Sequence, residues 1–136
     1  MRVYQTTDEA AVRRLYGHLF DIKDYEGADR GNLFWLASNA TAVAAFASAR
    51  PSVNEPDAFF LSRCGVLTKY RGQGLQRRLI HARLRWAKAH GIRRAITYTL
   101  LENVASARNL VRAGFLPYWP KTEWAGKVWY FEKVLA

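Results

Sequence analysis

Val66-Leu67-Thr68-Lys69-Tyr70-Arg71-Gly72-Gln73-Gly74-Leu75 joins two patterns of different period. Before it, Ala58 to Leu67 begins as a nearly continuous apolar run, the mark of a strand. After it, Leu75, Leu79, Ala82, Trp86 and Ala89 step by four and three along one helical face. Ile80, Leu84 and Ala87 form a second apolar line, so this helix packs on two sides, and Gly91 fits its C-terminal stop. A strand feeding a helix through Arg-Gly-Gln-Gly has a direct physical meaning. The helix N-terminus offers unpaired N–H groups and the positive end of the macrodipole. Glycines let backbone approach a bulky anion, and successive amides can cup a diphosphate. Arg71, Arg77 and Arg78 add charge nearby. No Gly-Lys-Ser/Thr follows, and only two glycines are present. The turn is therefore neither a P-loop nor a dinucleotide fingerprint, and by itself it is equally a tight turn with glycine for backbone reasons.

Outward from this turn the chain reads as alternating short elements. Arg2 to Thr6 is a first strand, and Thr6-x-x-Glu9 is a capping-box pattern ahead of Val12, Leu15, Tyr16, Leu19 and Phe20 at helical spacing. That helix ends near Asp21. Leu33 to Ala37 and Ala42 to Ala49 are two strands of a hairpin turning at Ser38-Asn39, and Pro51 to Pro56 is a loop. Beyond the long helix, Arg94 to Leu100 is a strand, and Asn103 caps a helix running to Arg112 and ending at Gly114. Phe115 to Trp119 and Lys127 to Leu135 close the chain as strands. The order β-α-β-β-β-α-β-α-β-β predicts a mixed α/β sheet with one right-handed parallel crossover in the middle and antiparallel pairs at the ends.

The 136 residues and 15.6 kDa are the size of one domain, here taken as residues 1–136, and half are hydrophobic. No apolar run approaches the ~18 residues that span a bilayer, and the N-terminus shows no hydrophobic signal region. These features imply a soluble cytoplasmic protein away from membranes. One cysteine, Cys64, excludes an intrachain disulfide and a cysteine-built metal site, and no metal is expected. Twenty-one Lys and Arg against 11 Asp and Glu leave a formal net charge of +10, which attracts polyanions. Composition does not choose among nucleic acid, a phosphorylated cofactor and an acidic partner.

Asn103-Val-Ala-Ser106 and Arg112-Ala-Gly114-Phe115 follow about thirty residues after the glycine turn. Together, the turn Arg71-Gly72-Gln73-Gly74-Leu75-Gln76, this Asn motif and the order of elements resemble the GNAT family of N-acetyltransferases over nearly the whole chain. The resemblance implies a mostly antiparallel sheet with a splayed central parallel strand pair and helices on both faces. It implies acetyl-coenzyme A (acetyl-CoA) as co-substrate. Main-chain groups of Cys64 to Val66 would then pair with the pantetheine arm, and the amides of Arg71, Gly72, Gln73, Gly74, Leu75 and Gln76 would hold the diphosphate. Asn103 would meet the pantetheine, with Ser106 beside the cofactor. Gln76 stands where the family usually has Gly or Ala.

The usual acid–base pair is missing. Leu110 occupies the place of the tyrosine that many relatives use as acid, and Tyr98 that of the glutamate base. Phenols ionise near pH ~10, so a tyrosine there serves as a donor or a pocket wall rather than a base. Tyr98, Glu102 and Tyr130 are the remaining candidates for catalysis, with a water relay or positioning alone as alternatives.

Other residues divide between plain and functional readings. Cys64 is a small strand residue before it is a nucleophile, and His18, His81 and His90 are scattered without carboxylate partners at metal spacing. Arg77, His81, Arg85 and Lys88 form one stripe of the long helix, either a solvated face or a contact for cofactor phosphates and nucleic acid. Asp21, Asp24, Glu26 and Asp29 make either a polar loop or an acidic rim for a cationic amine. Trp119, Trp124 and Trp129 are core, acceptor pocket or homodimer contact, with Trp129 assigned to the core. Two functions follow. The first is transfer of an acetyl group by direct attack of an amine, whether a small cationic molecule, a protein amine or an aminoacyl-tRNA. The second is a binding module of the same fold that retains CoA and acts on nucleic acid through its basic surface.

Overall fold

The computed structural model describes residues 1–135. Seven strands, β1 (Arg2–Thr6), β2 (Leu33–Ser38), β3 (Val43–Pro51), β4 (Phe59–Val66), β5 (Arg94–Leu100), β6 (Leu116–Pro117) and β7 (Val128–Val134), form one sheet in the order β1-β2-β3-β4-β5-β7-β6. Helices α1 (Glu9–Leu19), α2 (Leu75–Ala89) and α3 (Val104–Arg112) complete the chain, with short 3-10 turns at 22–24, 28–30 and 68–70. Every pair is antiparallel except β4–β5, the parallel pair expected from the crossover.

Strand alternation sorts the core. On β2, Phe34 and Leu36 point to α1 and meet Val12, Leu15, Tyr16 and Phe46. Trp35 and Ala37 point to the opposite face, where Leu79, Ile80 and Ala87 of α2 lie. β3 presents Ala45, Ala47 and Ala49 on that second face, and these small side chains let α2 approach the sheet closely. α3 adds Leu110, with Ala113 and Phe115 just after it, to the same cluster. Helices therefore cover both faces, and α2 is buried on two sides as its paired apolar lines predict.

Three expectations need correction. The N-cap of α1 is Asp8, whose carboxylate accepts from Ala11 N–H at 3.1 Å. Thr6 instead accepts from Asp8 N–H, and Glu9 reaches away to Ala28 N–H at 3.0 Å, pinning the loop after α1. A distant acceptor thus replaces the local reciprocal bond. Phe115 to Trp119 pairs only at Leu116 and Pro117, an edge position where a residue without N–H is tolerated. Trp129 is 51% exposed, because Tyr130 and Phe131 take the buried positions of β7.

The parallel pair is brief. β4 and β5 are paired only at Phe59–Ala95 and Phe60–Ile96. On its other side β4 slips register against β3, so that Leu61 and Ser62 stand opposite Ala49. A bulge bends its strand, and past it β4 leaves β5. Thr97 marks the parting point, donating its hydroxyl to Leu61 carbonyl at 2.8 Å. Gly65 follows: a Cβ there would lie 2.7 Å from Leu19 Cδ1 and 3.0 Å from Phe20 and Phe46 rings, so only glycine lets the end of α1 rest on the splayed strand.

Candidate active site

The glycine turn starts α2 as expected. Gly72 and Gly74 have φ of +80° and +77°, a left-handed conformation that side-chain-bearing residues rarely adopt. Gly74 is the N-cap, and no side chain bonds to the first turn of the helix. The opening amides of α2 are therefore left to a ligand, and nothing lies within 4 Å of where a Cβ would stand at either glycine. They border a cavity of about 610 Å³, lined also by Cys64, Arg71, Arg77, Asn103, Ser106 and Arg108. Its size, its exposed amides and its guanidinium groups fit a phosphorylated cofactor such as CoA.

Local bonds set the walls of this cavity. Arg71 folds back, its Nε donating to Val66 carbonyl at 3.0 Å, so in this conformation that carbonyl is already engaged. Gln76 reaches across to α3. Its Nε2 donates to Ser106 Oγ at 2.9 Å, and its Oε1 accepts from Asn109 Nδ2 at 2.8 Å. The side chain that replaces the usual Gly or Ala is thereby tied between two helices. Asn103 caps α3, accepting from Ser106 N–H at 3.2 Å, as its position predicts.

A second cavity of about 220 Å³ occupies the splay between β4 and β5. It shares Cys64, Gln76, Asn103 and Ser106 with the first. Tyr98 enters it, stacked on Phe60 at 6.0 Å between ring centres and edge-on to Trp124 at 5.6 Å. No hydrogen bond ties its hydroxyl among the described residues, which leaves it free to donate. Leu110 is buried in the wall of the same cavity, an apolar surface where a hydroxyl is usual. Burial pushes the Cys64 thiol above its ordinary value despite nearby Arg83, which keeps it protonated and poorly nucleophilic. Glu102 sits exposed in the turn after β5 and lines none of the three cavities described here.

The third cavity, about 180 Å³, opens on the α1 face and shares Ser62, Arg63 and Tyr98 with the gap. Tyr16, Tyr25, Phe60 and Trp124 form aromatic walls. Of the four acids after α1, only Asp24 and Glu26 line it. Asp21 is used in its own turn, accepting from Lys23 N–H, and Glu26 pairs with Arg50 at 2.7 Å. A polar chain crosses the floor, with Ser62 donating to Asn32 Oδ1 at 2.7 Å and Ser48 bonded to Ser62 at 2.8 Å. The Tyr16 hydroxyl is buried without a partner, and burial raises its pKa.

Sequence reasoning missed what holds Trp124 in place. Glu55, in the loop before β4, accepts from Tyr118 Oη at 2.5 Å and Trp124 Nε1 at 2.9 Å, and pairs with Arg94 at 2.7 Å. Arg94 also pairs with Glu132 at 2.9 Å. Two loops far apart in sequence are thus latched beside the third cavity, a contact invisible to any local pattern. Tyr130, a candidate for catalysis, is occupied with Ala125 carbonyl in the same segment. Burial pushes the Glu55 carboxyl up, but hydrogen bonds from Tyr118, Arg94 and Trp124 outweigh it and hold the pKa below the usual value. A folded pKa below the unfolded value gives stability that is present above the unfolded value, about 4.3, and lost as pH falls through the folded one. Thermal melts from pH 6 to pH 3 are expected to show a fall in Tm that is smaller in Glu55→Gln. Parallel curves for the two proteins would exclude the latch as the source.

The stripe of α2 is exposed throughout, and Arg77 alone of Arg77, His81, Arg85 and Lys88 lines a cavity. Burial, then Arg85, Lys133 and Arg77, hold the His81 imidazole below its usual pKa. Trp119 is 72% exposed and meets Tyr130 edge-on. No helix among the described residues is long and apolar enough to cross a membrane.

A mixed sheet splayed at its one parallel pair, with an amide-lined turn on one side and an aromatic cavity on the other, defines the class of an acyltransferase built around a CoA thioester. The sequence model of the acetyltransferase (GNAT) family matches residues 2–115, and the chain belongs to that family of acetyl-CoA-using enzymes. Solved structures agree in fold. The ribosomal-protein-S18-alanine N-acetyltransferase of Escherichia coli is 19% identical with a TM-score of 0.76, covering 99% of this chain and 94% of its own. An IAA acetyltransferase from Bacillus cereus is 14% identical with a TM-score of 0.78, covering 98% and 99%. NAA60 of Arabidopsis thaliana, solved with a bisubstrate analogue, is 14% identical with a TM-score of 0.74, covering 98% of each chain. No curated protein matches the sequence significantly.

Proposed function

We propose that this protein transfers the acetyl group of acetyl-CoA directly to a primary amine, with the amine entering from the α1 face. The observation that carries this reading is the row of three cavities sharing walls through the splay, with Tyr98 common to the middle one and the amine side. When bound, acetyl-CoA supplies an activated acetyl thioester. The amides of Gly72 to Gln76 hold the diphosphate, helped by Arg71 and Arg77. Cys64, Val66 and Asn103 flank the pantetheine, and the Gln76–Ser106 bond keeps α2 and α3 at a fixed separation there. Main-chain N–H near Cys64 polarises the acyl carbonyl.

Tyr98 acts as proton donor at its Oη, and its stack with Phe60 and Trp124 limits water in the gap. With no carboxylate on β5, the amine loses its proton to water through the third cavity. Asp24, unlike the Glu26 carboxylate already paired with Arg50, attracts its cationic form there. A protonated, half-buried Cys64 thiol is consistent with direct attack and no acyl-enzyme. The acceptor is a small amine or a protein amine, since the similar structures include an enzyme named for ribosomal-protein alanine and another bound to a bisubstrate analogue. Incubation with acetyl-CoA and a panel of polyamines, amino acid amides and N-terminal peptides, read by mass spectrometry, is expected to show one acetyl group added to one class. No acetylated product together with no CoA binding by calorimetry would overturn the proposal.

A further inference from the structure

Arg83 is the one charged residue among the seven buried on α2, and it is 2% exposed. Its position, four after Leu79 and four before Ala87, belongs to the apolar line that packs on the sheet. Nε donates to Leu79 carbonyl at 3.1 Å and Nη1 to Ser48 carbonyl at 3.1 Å, next to the β4 bulge. No carboxylate pairs with it among the described residues. A guanidinium keeps its charge at neutral pH even when burial lowers its pKa, and an uncompensated buried cation is costly. Cys64 does not supply the counter-charge, because burial keeps its thiol protonated.

Arg83 lines the cavity in the splay, and no Asp or Glu does. Arg63 also lines the cavity, but it is exposed to solvent, with its guanidinium over the Phe20 ring at 4.9 Å. The cavity lies between the turn that holds the cofactor and the cavity that admits the amine, where the acyl group of a bound thioester must sit. A buried guanidinium with no carboxylate at that point calls for a negative charge carried by the acyl group.

We propose that Arg83 binds the terminal carboxylate of a dicarboxylic acyl donor, so that the protein takes malonyl- or succinyl-CoA thioesters more tightly than acetyl-CoA. The inference rests on the CoA-dependent reading above. In the transfer, the amine nitrogen bonds to the acyl carbon as the carbon–sulfur bond breaks. The proton lost by nitrogen ends on sulfur, giving an amide with a free carboxylate and CoA as thiol.

Calorimetry of the full chain with succinyl-, malonyl-, butanoyl- and acetyl-CoA tests this. The better dicarboxylic donor is expected to bind at least about tenfold more tightly than butanoyl- and acetyl-CoA, the gain of one buried charge-assisted contact. Arg83→Met should abolish that difference and Arg83→Lys should keep part of it, with melting curves showing that both are folded. The donor comparison on the unaltered protein decides the matter even where a variant fails to fold. Equal affinity for all four donors overturns the proposal and leaves the acetyl-transfer reading standing. Binding of none overturns both. A preference that survives in folded Arg83→Met removes Arg83 from the assignment.

Discussion

Gly74→Asp is expected to weaken CoA binding at least 100-fold by calorimetry, about 2.7 kcal/mol. Gly74 lies at φ +77° at the N-cap of α2, with open space around the missing Cβ. An aspartate there would point negative charge at the amides that receive the diphosphate and cancel part of the helix dipole's attraction. Conformation contributes too, since a side chain at this φ is strained, but Asp and Asn tolerate it better than other residues. Gly74→Asn therefore separates the effects: nearly equal in shape and backbone strain, it lacks the charge. Its loss should be about tenfold smaller than that of the aspartate variant. Equal losses in both would assign the effect to backbone strain, and undiminished affinity in Gly74→Asp would remove the turn from the cofactor site.

Tyr98→Phe should lower kcat about 100-fold, the lower end of what a positioned proton donor contributes, once an acceptor is in hand. CoA affinity should stay unchanged, because Tyr98 does not line the cofactor cavity. The substitution keeps the ring that stacks on Phe60 and meets Trp124, so it removes the hydroxyl and little else. A fall in kcat without a rise in acceptor KM would mark a role in the reaction itself, whereas a rise in KM alone would make Tyr98 a wall of the pocket. Unchanged kinetics would remove it altogether. Glu102→Gln then examines the remaining carboxylate proposed from the sequence: loss of the acid limb of the pH–rate profile would bring it back despite its exposed position outside the cavities.

The three tryptophans show how far local pattern reaches. The run Val128-Trp129-Tyr130-Phe131 is apolar at every position, and alternation alone does not say which residues face inward. Pairing of β7 with both β5 and β6 decided it, burying Tyr130 and Phe131 and leaving Trp129 outside. Trp124 has no strand or helix to place it and became a cavity wall through Glu55, 69 residues away. Arg83 carried a visible signal, a charge in the middle of a buried helical line, but read by charge alone it joins the other arginines of the exposed stripe. Asp8 and Thr6 differ by a single hydrogen-bond partner for Glu9, which helix-start patterns assume to be local.

What the amino-acid order determined unaided is the succession of elements and the open-amide start of α2. These rest on period, glycine conformation and caps, all of which act over a few residues. The splay of β4 from β5, the meeting of the middle cavity and the amine cavity at Tyr98 and the burial of Arg83 without a carboxylate partner were decided only by tertiary structure. Each depends on a strand bulge and on packing between residues distant in sequence, and such contacts have free energies that no short window contains.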